Sequence, residues 1–253
     1  MKNNEKILKY MFPIISVGCI LLIWGIASIM VNSSLVLPSI LETLKATFNL
    51  FRDKVFYSAL LSTLIRGLIA FVISFILALI LAILSNVSKN AKSFIMPIIS
   101  IIRALPTIAI ALLLYFWFSN SFSPVIVTML VVLPTSYANL LTALGKIDGD
   151  MIETCKYFNC SKKDIFFKVK MPVIRPDIYR AIGTGLTLNL KLMVAAEVLS
   201  QTSNCMGYLL NTAKIYYEIS LMFALVLVTV IIGLIIETIF NIISKKVDYA
   251  NKY

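Results

Sequence analysis

Long apolar runs separated by short polar stretches dominate the hydropathy pattern of this chain. Six of these runs reach or approach the roughly 20 residues that an α-helix needs to cross a bilayer. One such run could be a buried core helix of a soluble protein, but six in 253 residues leave too little polar sequence for that class. The pattern therefore predicts about six membrane-spanning helices: Tyr10–Val31, Leu60–Ser85, Phe94–Phe118, Pro124–Leu144, Ala181–Leu199 and Ile219–Ile243.

A shorter amphipathic helix is predicted between the first two spans, over Ser39–Tyr57. Ser39 follows Pro38 and precedes Glu42 by three residues, which is the capping-box pattern of a helix N-terminus. Apolar residues then recur at helical spacing and form one face, so we expect the helix to lie along the outer membrane surface or against its neighbours. That face consists of Ile40, Leu41, Leu44, Phe48, Phe51 and Val55.

Composition supports a membrane protein and argues against metal chemistry. The chain is 60% hydrophobic and 14% charged, whereas about 25% charged residues is typical of soluble domains. The first span is too long for a signal peptide and has no small-residue cleavage site, so we expect it to be retained. Histidine is absent and the four cysteines show no ligand-like spacing, so no metal site is predicted.

The net charge of +11 has an uneven distribution along the chain. Lysines and arginines cluster before the first span, between the second and third, between the fourth and fifth, and after the last, while the other loops hold few. With six crossings the basic loops all fall on one side, which the positive-inside rule identifies as the cytoplasm. Both termini are therefore expected there, and the basic charge indicates topology rather than nucleic-acid binding.

The polar interruption between the fourth and fifth spans predicts two short helices. Asp150 and Glu153 form a capping-box pattern that starts a helix at about Met151. Asn159 stands where that helix should end, because Asn tolerates the left-handed backbone conformation of a helix C-terminus.

The second short helix is predicted to begin at Ser161 and to end at Pro172. Ser161 and Asp164 repeat the capping pattern, and proline breaks a helix interior. A lysine-rich helix–turn–helix on one membrane face is typical of a contact with another protein.

Charged residues inside the predicted spans are the candidates for function, because a charge at mid-helix costs roughly 2.5–3.5 kcal/mol on insertion scales. Candidate residues of a translocation path are Arg66, Arg103, Lys191 and Glu197, and Glu237 is interpreted as structural. Ion pairs between helices are the alternative, with Glu197 as one partner considered for Lys191, and Arg66 is shallow enough to snorkel. Three cations against two carboxylates would favour a passing anion.

The chain has no phosphate-binding loop of the form G-x-x-x-x-G-K-[ST]. Gly145–Lys146 lacks both the upstream glycine and the hydroxyl residue. An ATP-driven activity would therefore need a motor on another polypeptide.

The polar loop also resembles the cytoplasmic loop of permease subunits in binding-protein-dependent ABC importers, which has the form E-A-A-x3-G-x9-I-x-L-P. Only Glu153 and Pro172 are identical to the pattern. The other positions keep small, turn-forming or apolar residues. The matching positions are Glu153, Thr154, Cys155, Asn159, Val169, Met171 and Pro172.

Further motifs in order along roughly residues 35–246 are similar to the nitrate, sulfonate and taurine branch of these permeases. They are Leu37-Pro38-Ser39, Thr63-x-x-Arg66, Arg103-Ala104-x-Pro106, Ala195-Ala196-Glu197 and Met206-Gly207-Tyr208-Leu209-Leu210.

The resemblance implies an all-α polytopic membrane protein with the type I importer permease fold, located in a bacterial-type cell membrane. It implies an external helix over residues 35–59 and a five-helix core over 60–246 with a coupling loop at 145–180. Residues 1–34 would be a cytoplasmic tail with the first span, and 247–253 a second tail. Expected partners are a second copy, two cytoplasmic ATPases that bind ATP and Mg²⁺ against the loop, and an external solute-binding protein.

The expected function is transport of a small anion, such as an aliphatic sulfonate, taurine or nitrate, without enzymatic activity in this chain. A permease for a thiamine pyrimidine precursor would look much the same. A secondary transporter driven by an ion gradient is the alternative from another class. It would need deep membrane carboxylates, whereas Glu197 and Glu237 both lie near span ends.

Overall fold

The computed structural model describes residues 2–146, 153–155 and 157–250, and within these ranges it is helical with no strand. This confirms the all-α prediction. The elements are α1 (Lys2–Val31), α2 (Ile40–Leu50), α3 (Lys54–Val87), α4 (Lys89–Ala104), α5 (Thr107–Trp117), α6 (Ser123–Leu144), a helical turn (Lys162–Asp164), a π-helix (Ile165–Lys170), α7 (Met171–Leu199), α8 (Met206–Ile215) and α9 (Ile219–Ala250).

Five helical segments are long and apolar enough to cross a membrane: Ile14–Val31, Lys54–Val87, Ser123–Leu144, Ile165–Leu199 and Ile219–Asp248. The predicted third span, Phe94–Phe118, is not one straight helix, because α4 and α5 meet at an angle of 89°. Proline disfavours helical backbone in the residue before it. Leu105 accordingly has an extended conformation before Pro106, and α4 ends there.

The bent pair of α4 and α5 connects opposite ends of α7. Val87, just before α4, lines a cavity together with Met171 at the start of α7. Asn120, just after α5, accepts a hydrogen bond from Thr202 beyond the end of α7. Because α7 has 29 residues and is therefore about 43 Å long, the two ends of the bent pair lie far apart along it. Counting the pair as one broken span gives up to six candidate crossings.

The amphipathic helix is shorter than predicted. The Ser39–Glu42 capping box is present. The helix ends at Leu50, however, and not at Tyr57. The Asp53 carboxylate accepts a hydrogen bond from the Val55 amide at 2.8 Å, which caps the start of α3 and makes residues 54–57 part of that span.

Pro172 does not end a helix, contrary to the sequence prediction. The chain is helical from Lys162 to Leu199 through the π-helix, and the predicted fifth span at Ala181–Leu199 is the later part of α7. Pro172 lies at the start of α7, directly after the π-helix. The Met171 amide bonds to the Phe166 carbonyl, so the wider π turn carries the backbone into α7.

Two compact units make up the chain. One comprises Met1–Ser58 and Leu209–Val228. In this unit the indole of Trp24 donates a hydrogen bond to the Pro38 carbonyl at 3.1 Å, and its ring packs against Phe223 with centroids 5.7 Å apart. These contacts tie α1 to the segment before α2 and to the start of α9.

The second unit comprises Ala59–Tyr208 and Thr229–Tyr253, and α6 lies at its centre. One face of α6 packs on α3 and α4 through Tyr137 and Leu140, while Val127 packs on α5 and α7. Small residues allow close helix contacts in a membrane. At Gly183 an added Cβ would lie only 2.6 Å from the Phe240 Cβ on α9.

Candidate functional site

The turn in the polar loop has the predicted backbone geometry. Asn159 has a φ of 56°, in the left-handed region. The Cys160 amide bonds to the Cys155 carbonyl at 3.0 Å, which is the six-to-one bond of a Schellman helix terminus. Glu153, Thr154 and Cys155, before the turn, are helical. The predicted start at Asp150 and Met151 lies outside the described residues.

The second predicted cap is also present. The Asp164 amide donates to the Ser161 hydroxyl at 3.1 Å, and that hydroxyl donates to the Asp164 carboxylate at 2.6 Å. Hydrogen bonds from Lys168 and then Ser161 hold the pKa of the Asp164 carboxyl below its usual value. Both short helices of the loop are thus fixed at the turn between them.

The surface of this loop is rich in exposed aromatic rings. Tyr157 is 85% exposed, Phe158 72% and Phe167 66%. Glu153 is exposed beside them. Three large rings around one structured turn, with basic residues nearby, are typical of a protein-binding surface. Val169, Met171 and Pro172, the other predicted contact positions, are only half-buried and belong to the π-helix and α7.

A buried carboxylate connects three separate segments of the second unit. Glu197 is fully buried and Arg66 is 19% exposed, and their side chains form an ion pair at 3.2 Å. Thr63 donates to the Glu197 carboxylate at 2.8 Å, and the Gly207 amide donates to it at 3.3 Å. The Met206 amide donates to the Thr63 hydroxyl at 2.9 Å, so this cluster attaches the start of α8 to α3 and α7.

Gly207 fits this cluster because it has no side chain. A Cβ there would lie 2.5 Å from the Glu197 Cβ and 2.6 Å from the Val198 amide nitrogen. No real side chain is tolerated at such distances. Three of the sequence motifs therefore meet at this cluster although they are far apart in sequence. The first contains Thr63 and Arg66, the second contains Glu197, and the third contains Gly207.

The structure separates the four candidate path residues into two kinds. Arg66 and Glu197 offset each other's charge in the buried cluster. Lys191 and Arg103 are both exposed and, among the described residues, neither forms an ion pair. Arg103 lies in the last turn of α4, at the bend before α5. Glu197 is thus paired with Arg66 rather than with Lys191.

Lys191 belongs to a line of polar residues that we call the polar stripe. On α7 these residues follow helical spacing, and on the adjacent α6 they do the same. The stripe consists of Asp177, Arg180, Thr184 and Lys191 on α7 and of Thr135, Asn139 and Thr142 on α6. All of them except the partly buried Asp177 are exposed on the isolated chain.

One end of the polar stripe is an ion-pair network beside a cavity. Asp177 accepts from Lys146 at 2.8 Å and from Arg180 at 3.2 Å. The cavity between α6 and α7 has a volume of about 480 Å³ and includes these three residues in its lining. Two cations surround one carboxylate, so this end of the stripe has a net positive charge.

Sequence reasoning did not find the network at Asp177 or the roles of Thr63 and Gly207. The spacing of Asp177 and Arg180 on one helix face was an available signal. No comparable signal connects Thr63 to Glu197, which lie 134 residues apart. Among the described residues, no group of three Cys, Asp or Glu side chains could hold a metal ion.

A protein-family model matches residues 74–249. It is described as the binding-protein-dependent transport system inner membrane component. The matched region contains α4–α7, the polar stripe and the polar loop. It covers well over half of the chain.

Individual proteins of known name are also similar. The taurine transport system permease protein TauC of Escherichia coli (strain K12) is 21% identical over 253 residues, covering 92% of each chain. SsuC of Bacillus subtilis (strain 168), named for transport of aliphatic sulfonates, is 22% identical over 168 residues, which is 66% of this chain. The chain spans 60% of the length of the first relatives that it matches.

A solved structure has a similar fold. It is the bacterial alginate ABC transporter in complex with an alginate pentasaccharide-bound periplasmic protein. The TM-score is 0.66 at 14% identity, and the match covers 98% of this chain and 96% of the other.

Proposed function

Since this chain belongs to the family of binding-protein-dependent transport system inner membrane components and is an ABC importer permease of the type I fold, we propose that its polar stripe lines the translocation path for a small anion. The chain is a multi-pass membrane protein. A second copy of the chain faces the stripe and completes the path.

The observation that carries this proposal is the exposure of Lys191 deep inside a membrane span. Lys191 lies eight residues before the end of α7, which is about 12 Å along the helix axis. A charge at that depth facing lipid is unfavourable by roughly 2.5–3.5 kcal/mol. An aqueous path between two subunits removes that cost, because the ammonium group stays hydrated.

An anion suits the charge of this path. Lys191 has no carboxylate partner among the described residues. Arg180 lies eleven residues earlier on the same helix, about 16 Å away, and its network has a net positive charge. Aliphatic sulfonates, taurine and nitrate present the complementary anionic group, and two relatives are named for sulfonates and taurine.

Two cytoplasmic ATPases, which bind ATP and Mg²⁺, dock on the polar loop around Asn159. Support comes from the structured turn, the exposed aromatic rings and Glu153 at that surface. An external solute-binding protein delivers the anion to the opposite face. With the basic loops in the cytoplasm, both termini lie there as well.

The test is uptake by a Lys191→Met variant, which keeps the length and apolar bulk of the side chain. We expect uptake of labelled taurine, ethanesulfonate or nitrate to fall more than tenfold, and Lys191→Arg to retain most of it. Co-purification of the ATPase should be unchanged. Lys92→Met, which changes an exposed lysine in the first turn of α4, is the matched control.

Normal anion uptake by Lys191→Met would contradict the path assignment. If the wild-type chain takes up a thiamine pyrimidine precursor and none of the three anions, the proposed substrate is that precursor and not an anion of this group.

A further inference from the structure

An apolar cavity of about 300 Å³ lies between the ends of α3 and α6 and the junction of the π-helix with α7. It belongs to the second unit and is separate from the polar stripe. Its walls are mostly aliphatic, so most of its interior offers no hydrogen-bond partner to a hydrated anion. They include Leu79, Ile83, Leu140, Leu144, Met171 and Ile174.

Two polar side chains, Lys170 and Asn86, also line this cavity. Lys170 is half-buried, and among the described residues it forms no ion pair. A half-buried cation with aliphatic walls beside it is complementary to an amphiphile that has an anionic head and a hydrocarbon tail.

The cavity lies at the depth of lipid headgroups. Val87 lines it and is the last residue of α3, and Leu144 lines it and is the last residue of α6. Both spans therefore end at this cavity, where the chain leaves the hydrocarbon region. With the polar loop in the cytoplasm, as in the proposed function, this is the inner leaflet.

We propose that this cavity binds one acyl chain of an anionic phospholipid of the inner leaflet, with the phosphate beside Lys170. Phe166, in the π-helix, lines the same cavity. A π-helix in an otherwise α-helical segment is frequently found at a functional site. The bound lipid thereby stabilises the junction that connects the ATPase-binding loop to α7.

Native mass spectrometry of the full-length chain, with dioleoylphosphatidylglycerol and dioleoylphosphatidylcholine added separately, tests this proposal. We expect the anionic lipid to be retained about fivefold more than the zwitterionic lipid, the ratio given by one lysine near an anionic group. Lys170→Met should bring the ratio close to one, and Lys92→Met should leave it unchanged. Ile83→Trp should lower retention of both lipids because the indole occupies the cavity.

Equal retention of the two lipids by the wild-type chain would overturn the proposal without the need for any variant. So would an equal loss of preference in Lys92→Met and Lys170→Met, which would indicate general surface charge. Retention of oleate without phosphatidylglycerol would also overturn it. None of these measurements depends on transport, so their failure is distinguishable from failure of the proposed path.

Discussion

At the scale of single residues, Glu197 has the most demanding environment among the described carboxylates of the spans. It is fully buried, and it has one cationic partner, Arg66, together with hydrogen bonds from Thr63 and Gly207. A buried charge of this kind is tolerated only while its partners remain. Its contacts connect the start of α8 to α3 and α7.

Removing one charge of this pair should destabilise the protein. We expect Arg66→Met to lower the free energy of unfolding by about 3–5 kcal/mol, reduced somewhat because Arg66 retains partial solvent exposure. The double variant Arg66→Met, Glu197→Gln should recover part of that loss, since no unpaired carboxylate is left buried. Thermal unfolding of the purified chain measures both changes.

Glu237→Gln is the control for this prediction, because Glu237 is half-buried in α9 and forms no ion pair among the described residues. A loss of stability in the control equal to that in Arg66→Met would show that the loss does not come from breaking the ion pair.

Asn159 permits a second prediction at this scale. Glycine meets the same backbone demand at a φ of 56°, so Asn159→Gly should bind the ATPase as the wild type does. Asn159→Val should weaken that binding, since a left-handed conformation costs a side chain with a Cβ roughly 1–2 kcal/mol, and more when it is β-branched. A pull-down of the ATPase by each variant measures this. Equal binding by the valine variant would show that the turn has no role in docking.

Cys205 shows a consequence of burial that the sequence does not reveal. Desolvation, followed by the nearby Glu197 carboxylate, raises the pKa of its thiol to about 12. The thiol therefore stays protonated and unreactive at neutral pH.

The turn around Asn159 was predictable because its interactions are local, whereas the cluster at Glu197 depends on residues more than 130 positions away.

At the scale of elements, the sequence predicts the spans and the helix after Ser39 but not all of their limits, and it does not predict α8. The Ser39 cap and the starts of α6 and α9 follow from local patterns and were placed within one residue. The 89° bend at Leu105–Pro106 exceeds what the sequence predicts, because a proline within a span indicates a kink but not its angle. The prediction that Pro172 ends a helix is wrong because a π-helix precedes this proline, and the residue pattern does not indicate a π-helix.

The crossing by α4 and α5 can be tested by cysteine labelling in a background without native cysteines. Cysteines at positions 89 and 163 should react with an impermeant maleimide only from the cytoplasmic side, and one at position 120 only from outside. The reason is that the bent pair connects opposite ends of α7. Labelling of positions 89 and 120 from one side would make the pair a re-entrant loop and reduce the crossings to five.

At the scale of the whole molecule, a single chain cannot perform the proposed transport. The polar stripe is exposed and lies within membrane spans, so it needs a second subunit. The loop around Asn159 presents exposed aromatic rings. The sequence has no phosphate-binding loop of its own. The fold class could be predicted from hydropathy, but the stripe could not, because it requires knowing which faces of α6 and α7 lie side by side.

Uptake into proteoliposomes tests the central claim most directly. The chain would be reconstituted with its ATPase and solute-binding protein, and labelled anion in the lumen would be measured with and without ATP. The account predicts accumulation that requires ATP, Mg²⁺ and both partners and that is insensitive to dissipation of the proton and sodium gradients. Accumulation by the chain alone, driven by an ion gradient and independent of the ATPase, would contradict it and identify a secondary transporter.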